Sequence, residues 1–75
     1  MTVEEIATLR VMREVRLEMR RQRKWTAELA EVLGVSQRAV QRKFTGETPV
    51  LVPELIATAH WLSIDCSVLV ERAGE

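Results

Sequence analysis

The chain has 75 residues, 47% hydrophobic and 29% charged, with eleven basic and eleven acidic side chains. That length holds one domain with a small core, and the hydrophobic share is too high for a disordered chain. Cys66 is the single cysteine, so no internal disulfide forms. No apolar run is long enough for a bilayer, and the acidic start MTVEE lacks the layout of a signal peptide.

Residues 3–23 contain no Gly or Pro and are predicted to form one long helix. Val3, Ala7, Val11, Val15 and Met19 recur every four residues, with Met12 beside them. Ile6, Leu9 and Leu17 fall outside that stripe, so the apolar arc is wide. Lys24 and Trp25 make the connection, and Thr26 is expected to N-cap a second helix whose first turn holds Glu28. Leu29, Ala30 and Leu33 form its inner face, and Gly34 ends it, because Gly takes the left-handed conformation without strain. Ser36 is expected to cap a third helix, Gln37 to Thr45, stopped by Gly46. Glu47-Thr48-Pro49 is a turn, with Thr48 held extended by Pro49. Pro53 fits the first turn of a fourth helix ending near Ser63. Asp65 caps a short fifth helix from Cys66 to about Arg72, in which Cys66 is a small buried hydrophobe among Ile64, Val68 and Leu69. No segment alternates with period two for more than a few residues, and there is no repeat or low-complexity tract. The expected fold is all-α, five helices in one domain over residues 1–75.

Net charge zero conceals a segregation. Residues 10–46 hold ten cations and four acids, a surplus of six positive charges, and the rest of the chain holds seven acids against Arg72 alone. Such asymmetry points to a polyanionic partner for the middle of the chain. Over residues 10–23 the bland explanation is preferred: Glu14 and Glu18 can pair with Arg at helical spacing on a solvated face.

Two helices joined by a short turn containing Gly make a helix-turn-helix, here over about residues 26–46. Ala30 is small where the second and third helices cross. Leu29, Leu33, Val35 and Val40 fill the angle between them, and Val40 and Phe44 face inward from the third helix with Ala39 at the flank. That leaves Gln37, Arg38, Gln41 and Arg42 on the outer face. Arg matches guanine bidentately and Gln matches adenine, so these are base-reading side chains. Arg38 lies in the first turn, where the helix dipole disfavours a cation by ~0.3–1 kcal/mol. No acid occurs between Glu31 and Glu47. A helix tuned only for stability or solubility would carry acids there; one that enters a groove lined with phosphates would not.

On these residues the chain resembles the Cro/repressor-type helix-turn-helix family of small phage and bacterial regulators, over about residues 15–70. The matching positions are Thr26, Leu29-Ala30, Leu33-Gly34-Val35-Ser36 and Val40, followed by ELIATAHWLSI at residues 54–64, which is similar to the family's closing pattern. VQRKFTGETP is similar to the variant found in small phage regulators. Lys43 stands where many members place an aliphatic residue, so Phe44 is expected to supply that contact, with the register of the base readers open by about one position. Ser63 replaces the usual Gly. Residues 3–14 extend the first helix beyond the family core.

The resemblance implies a compact five-helix repressor-like domain that binds double-stranded operator DNA and regulates transcription by occupancy, in a bacterial cytoplasm, with a phage origin among the expectations. It also implies that Thr26, Ser36, Lys43 and Thr45, with Lys24 a weaker candidate, lie at the phosphate backbone. Small repressors bind as two-fold dimers. The apolar set Val3, Ile6, Ala7, Leu9, Val11 and Met12 is therefore expected to meet a second subunit, against the alternative that it folds onto its own fourth and fifth helices. Val50, Leu51 and Val52 form a second apolar run, with Val52 expected in the core. No enzyme activity, cofactor, metal or small-molecule ligand is expected: His60 and Cys66 are single, and no carboxylate pair or Gly-rich loop occurs. Trp25 and Trp61 are expected in the core rather than as stacking platforms. The Arg-rich first helix could bind anionic lipid, but Glu4, Glu5, Glu14 and Glu18 count against it. The serious alternative function is a protein-binding module of the same fold without DNA binding of its own.

Overall fold

The computed structural model describes residues 3–74, with side chains from Leu9 onward. Five helices follow one another: α1 (Val3–Arg21), α2 (Thr26–Leu33), α3 (Gln37–Thr45), α4 (Val52–Trp61) and α5 (Cys66–Gly74). No strand occurs among the described residues, so the chain is all-α. The described residues contain no helix long and apolar enough to cross a membrane.

One core joins the five helices. Met12, Val15 and Met19 from α1 meet Leu29 and Ala30 from α2, Val40 from α3, Ala59 from α4 with Leu62 just after it, and Leu69 from α5. The four-residue spacing of the α1 stripe thus marks the buried face over its second half. Helix α1 packs against α5 and also touches α3. Leu9, outside the expected stripe, is half-buried and presses on Gly46: a Cβ on that glycine would sit 2.5 Å from Leu9 Cδ2. Arg16 lies over the Phe44 ring, 5.1 Å from its centroid. Leu9, Val11 and Met12 are therefore part of the chain's own packing, chiefly beside α5 and α3. The side chains of Val3, Ile6 and Ala7, the rest of the set expected to meet a second subunit, lie outside the described residues, as do those of Glu4 and Glu5.

Helix ends explain the boundaries. Where the sequence predicted a helix to residue 23, α1 ends at Arg21, and Arg23 takes a left-handed φ of 54°. Its N–H reaches Arg20 O and the Lys24 N–H reaches Met19 O, the paired bonds of a Schellman ending. The same pair of bonds closes α2 at Gly34 and α4 at Ser63, where φ is 68° and 58°. Ser63 stands at the position where the resembled family has Gly, and its backbone conformation is the one that Gly takes without strain. Thr26 is not the N-cap of α2 but its first helical residue; Trp25 is the cap, and Glu28 Oε1 accepts the Trp25 N–H at 3.3 Å. Glu54 repeats this at α4, accepting the Leu51 N–H at 3.0 Å. Asp65 caps α5 by accepting the Ser67 N–H and hydroxyl at 3.0 and 2.9 Å, which hold its carboxyl below the usual range against a slight upward push from burial.

Two further expectations are corrected. Trp25 is 69% exposed and Val52 70% exposed, so neither belongs to the core. Trp25 is a cap, and a cap residue lies off the buried stripe of its helix. Val52 opens α4 next to exposed Leu51 and Pro53, while Val50 packs inward. Trp61 and Cys66 do pack against the core, both half-buried.

Candidate nucleic-acid interface

The turn between α2 and α3 is three residues long, and each has a physical task. Gly34 takes the left-handed conformation that reverses the chain, and the Val35 N–H closes on Ala30 O at 3.0 Å. Ser36 is extended, with φ −74° and ψ 159°, and its hydroxyl accepts the Ala39 N–H at 3.1 Å, a helix-capping bond worth ~1 kcal/mol. Ala30, nearly fully buried, lets the two helices approach.

Rotation of α3 is fixed from inside. Val40 is fully buried and Phe44 is held beneath Arg16. At 3.6 residues per turn, residues 37, 38, 41 and 42 then face away from the core. Gln37, Arg38, Gln41 and Arg42 are all exposed, so the expected reading set shares one solvent face. Its cations are nearly free. Among the described residues Arg38 has no ion-pair partner, and Arg42 Nε is 3.9 Å from Glu47 Oε1 with both side chains well exposed. An exposed pair at that distance contributes little. No acid lies in the first turn of α3.

The five residues expected at a phosphate backbone fare differently. Ser36 and Thr26 stand at the starts of α3 and α2, Ser36 exposed and Thr26 half-buried. The Thr45 hydroxyl donates to Arg42 O at 3.1 Å and stays at the surface. Lys24 is drawn inward: Nζ donates to Trp61 O at 2.6 Å and lies 4.9 Å from the centre of the Trp61 ring. Lys43 is drawn inward too, its side chain only 12% exposed, with Nζ 3.0 Å from Glu54 Oε1 and 3.1 Å from Pro49 O. Burial raises the Glu54 pKa, but the Leu51 N–H and the Lys43 ammonium together outweigh it and hold the carboxyl below its ordinary value. Lys43 thus ties the end of α3 to the start of α4 in place of presenting its charge outward.

Sequence reasoning missed two features here. Trp25 is exposed beside the start of α2; the three-residue spacing to Glu28 was the available signal, since a carboxylate at the third helical position reaches back to the cap residue. Leu51, Val52 and Ile56 form an exposed apolar group at the start of α4, 59%, 70% and 55% exposed. Among the described residues no group of His, Cys, Asp and Glu side chains is arranged to hold a metal. No protein-family model, curated protein or solved structure matches the chain.

Proposed function

We propose that the chain is a sequence-specific double-stranded DNA-binding regulator of the Cro/repressor type, acting by occupying an operator. The observation that carries this reading is the outer face of α3: Gln37, Arg38, Gln41 and Arg42, all exposed, with no acid from Ser36 to Gly46. These four side chains offer the donors and acceptors that recognise base edges in a major groove, while Ser36, Thr26 and the first amides of α2 suit a phosphate. Lys43 and Lys24 are left out of the phosphate set, because each already has an internal partner. A bacterial cytoplasm, a phage origin and a two-fold dimer on paired half-sites belong to the same reading, with Val3, Ile6 and Ala7 as the contact. The deciding experiment is selection of bound duplexes from a random library, repeated with Arg38→Ala. A defined motif that loses preference at one base pair in the variant supports the reading; no enrichment by the intact chain overturns it.

A second reading has its own observation. Leu51, Val52 and Ile56 present apolar surface beside the end of α3, which suits a protein partner. Under it, the intact chain enriches no duplex, and Leu51→Ser with Ile56→Ser abolishes the regulatory effect in cells while Arg38→Ala does not.

A further inference from the structure

The turn between α1 and α2 carries features that the α3 reading does not use. Arg20, Arg21, Gln22, Arg23, Lys24 and Trp25 form one continuous run with four cations and an aromatic end. Lys24 faces Trp61, while Arg20, Arg21 and Arg23 are exposed, Arg21 also reaching Glu18 at 3.4 Å. Trp25 stands in solvent at 69% exposure, where its indole forgoes the burial that makes Trp valuable in a core.

This turn is anchored. Gln22 Nε2 donates to Leu62 O at 2.8 Å and Lys24 Nζ to Trp61 O at 2.6 Å, so two side chains of the turn fasten it to the end of α4. The Trp25 N–H is held by Glu28 Oε1, which turns that carboxylate onto the backbone. A fixed backbone therefore presents the indole at the start of α2, beside amides with no helical partner.

The chemistry of the indole selects among occupants. It has an apolar face and a single N–H donor, with no acceptor. A sugar–phosphate backbone offers the complement: an apolar deoxyribose face beside oxygens that only accept. Flanking arginines favour the same polyanion. We propose that the α1–α2 turn is a second, sequence-independent contact with duplex DNA, in which Trp25 lies against the sugar–phosphate backbone, its Nε1–H donating to a phosphate oxygen, and Arg20 and Arg23 supply charge. This rests on the DNA-binding reading and extends its footprint beyond α3.

The test uses the full chain and fluorescently labelled duplexes, one bearing the selected motif and one scrambled. Trp25→Ala lowers affinity for both about tenfold and leaves their ratio unchanged; Trp25→Phe, which keeps the ring and loses the donor, falls between. In a Trp61→Phe background, with folding checked by circular dichroism, Trp25 is the only tryptophan, and its emission changes on adding duplex. Unchanged affinity in Trp25→Ala together with unchanged emission overturns the proposal, and if Arg38→Ala still relaxes the preference, the α3 reading stands alone. Conversely, a uniform loss in Trp25→Ala with no effect of Arg38→Ala sinks the α3 reading and keeps the turn. Single strands bound as tightly as duplex also overturn the proposal, since the indole then stacks on bases.

Discussion

Helices α1 and α3 are both rich in arginine, but α1 ties Arg16 and Arg21 to neighbouring side chains, while its Arg10, Arg13 and Arg20 have no ion-pair partner among the described residues. Over α1 the five arginines alternate with Glu14 and Glu18. Glu18, nearly buried, draws in Arg21 at 3.4 Å and Arg72 from α5 at 3.9 Å, and Arg16 covers Phe44. On the outer face of α3, Arg38 has no such partner among the described residues, and Arg42 has only a loose one. Counting cations would rank α1 above α3 as a polyanion site. What separates Arg16 and Arg21 from Arg38 is whether the fold already uses the charge. A guanidinium with an internal partner must give up that partner to meet a phosphate or a base, and a free one gives up only water.

The contrast between the two faces of α3 gives the largest expected effect. Val40 is fully buried in the shared core, so Val40→Asp places an unpaired charge there. The cost is several kcal/mol, comparable with the whole stability of a small domain. The variant loses its cooperative thermal transition by circular dichroism, and a normal midpoint would show that α3 is rotated away from the assignment made here.

Next comes the contrast between helices. Arg38→Ala weakens binding to the selected duplex by ~1–3 kcal/mol and relaxes one base pair. Arg16→Ala, which removes the guanidinium lying over the Phe44 ring on α1, alters neither affinity nor preference. Equal losses in the two variants would mean that binding follows general basic charge, and the distinction between used and unused arginines would fall.

Gly46, where α1 meets the end of α3, and Gly34, in the α2–α3 turn, form a matched pair. Both have positive φ, but a Cβ at Gly46 would meet Leu9 at 2.5 Å, and one at Gly34 meets nothing within 4 Å. Gly34→Ala therefore costs about 1 kcal/mol from backbone strain alone, and Gly46→Ala costs that plus an overpacking cost of ~1–3 kcal/mol. Denaturant midpoints give the difference. Equal losses would place Leu9 elsewhere and free the start of α1 from α3.

Much of this was legible in the sequence, because local chemistry set it. Gly34, Ser36 and Gly46 marked their helix ends without help from tertiary packing, and the bounds of α3 came out as predicted. The inward placement of Val40 and Phe44 followed from periodicity, and with it the outer set Gln37, Arg38, Gln41 and Arg42. What was not legible depends on contacts distant in sequence. Nothing near Lys43 in the chain says that Glu54, eleven residues on, will take its charge, or that Lys24 will meet Trp61. Trp25 and Val52 were assigned to the core on hydrophobicity, which is a one-way guide to burial. Ser63 lies between: its φ of 58° is what the Gly of the resembled family implies, so Ser63→Gly is expected to raise stability by about 0.5–1 kcal/mol, read as a higher thermal midpoint. A lower midpoint would mean that the Ser63 side chain contributes more than its backbone strain costs.

The smallest effect tests the used cation of α3 itself. Lys43→Met keeps the aliphatic stem and deletes the charge facing Glu54. If the ammonium is held by Glu54 and Pro49 O when DNA is bound, the slope of log affinity against log salt is unchanged; a phosphate contact at Lys43 would lower it by about 0.9. The same pair predicts a pH dependence with a definite sign. The folded pKa of Glu54 is depressed, so its contribution to stability is present above the unfolded value of about 4.3 and is lost as pH falls through the folded one. Lys43→Met should therefore be less stable than the parent at neutral pH, and the gap should close only as pH falls through the parent's depressed folded pKa, once the carboxyl is protonated in both. A gap that persists after acid has protonated the carboxyl in both would assign the loss to packing of the lysine stem against α4, and the ion pair would not be what joins the two helices.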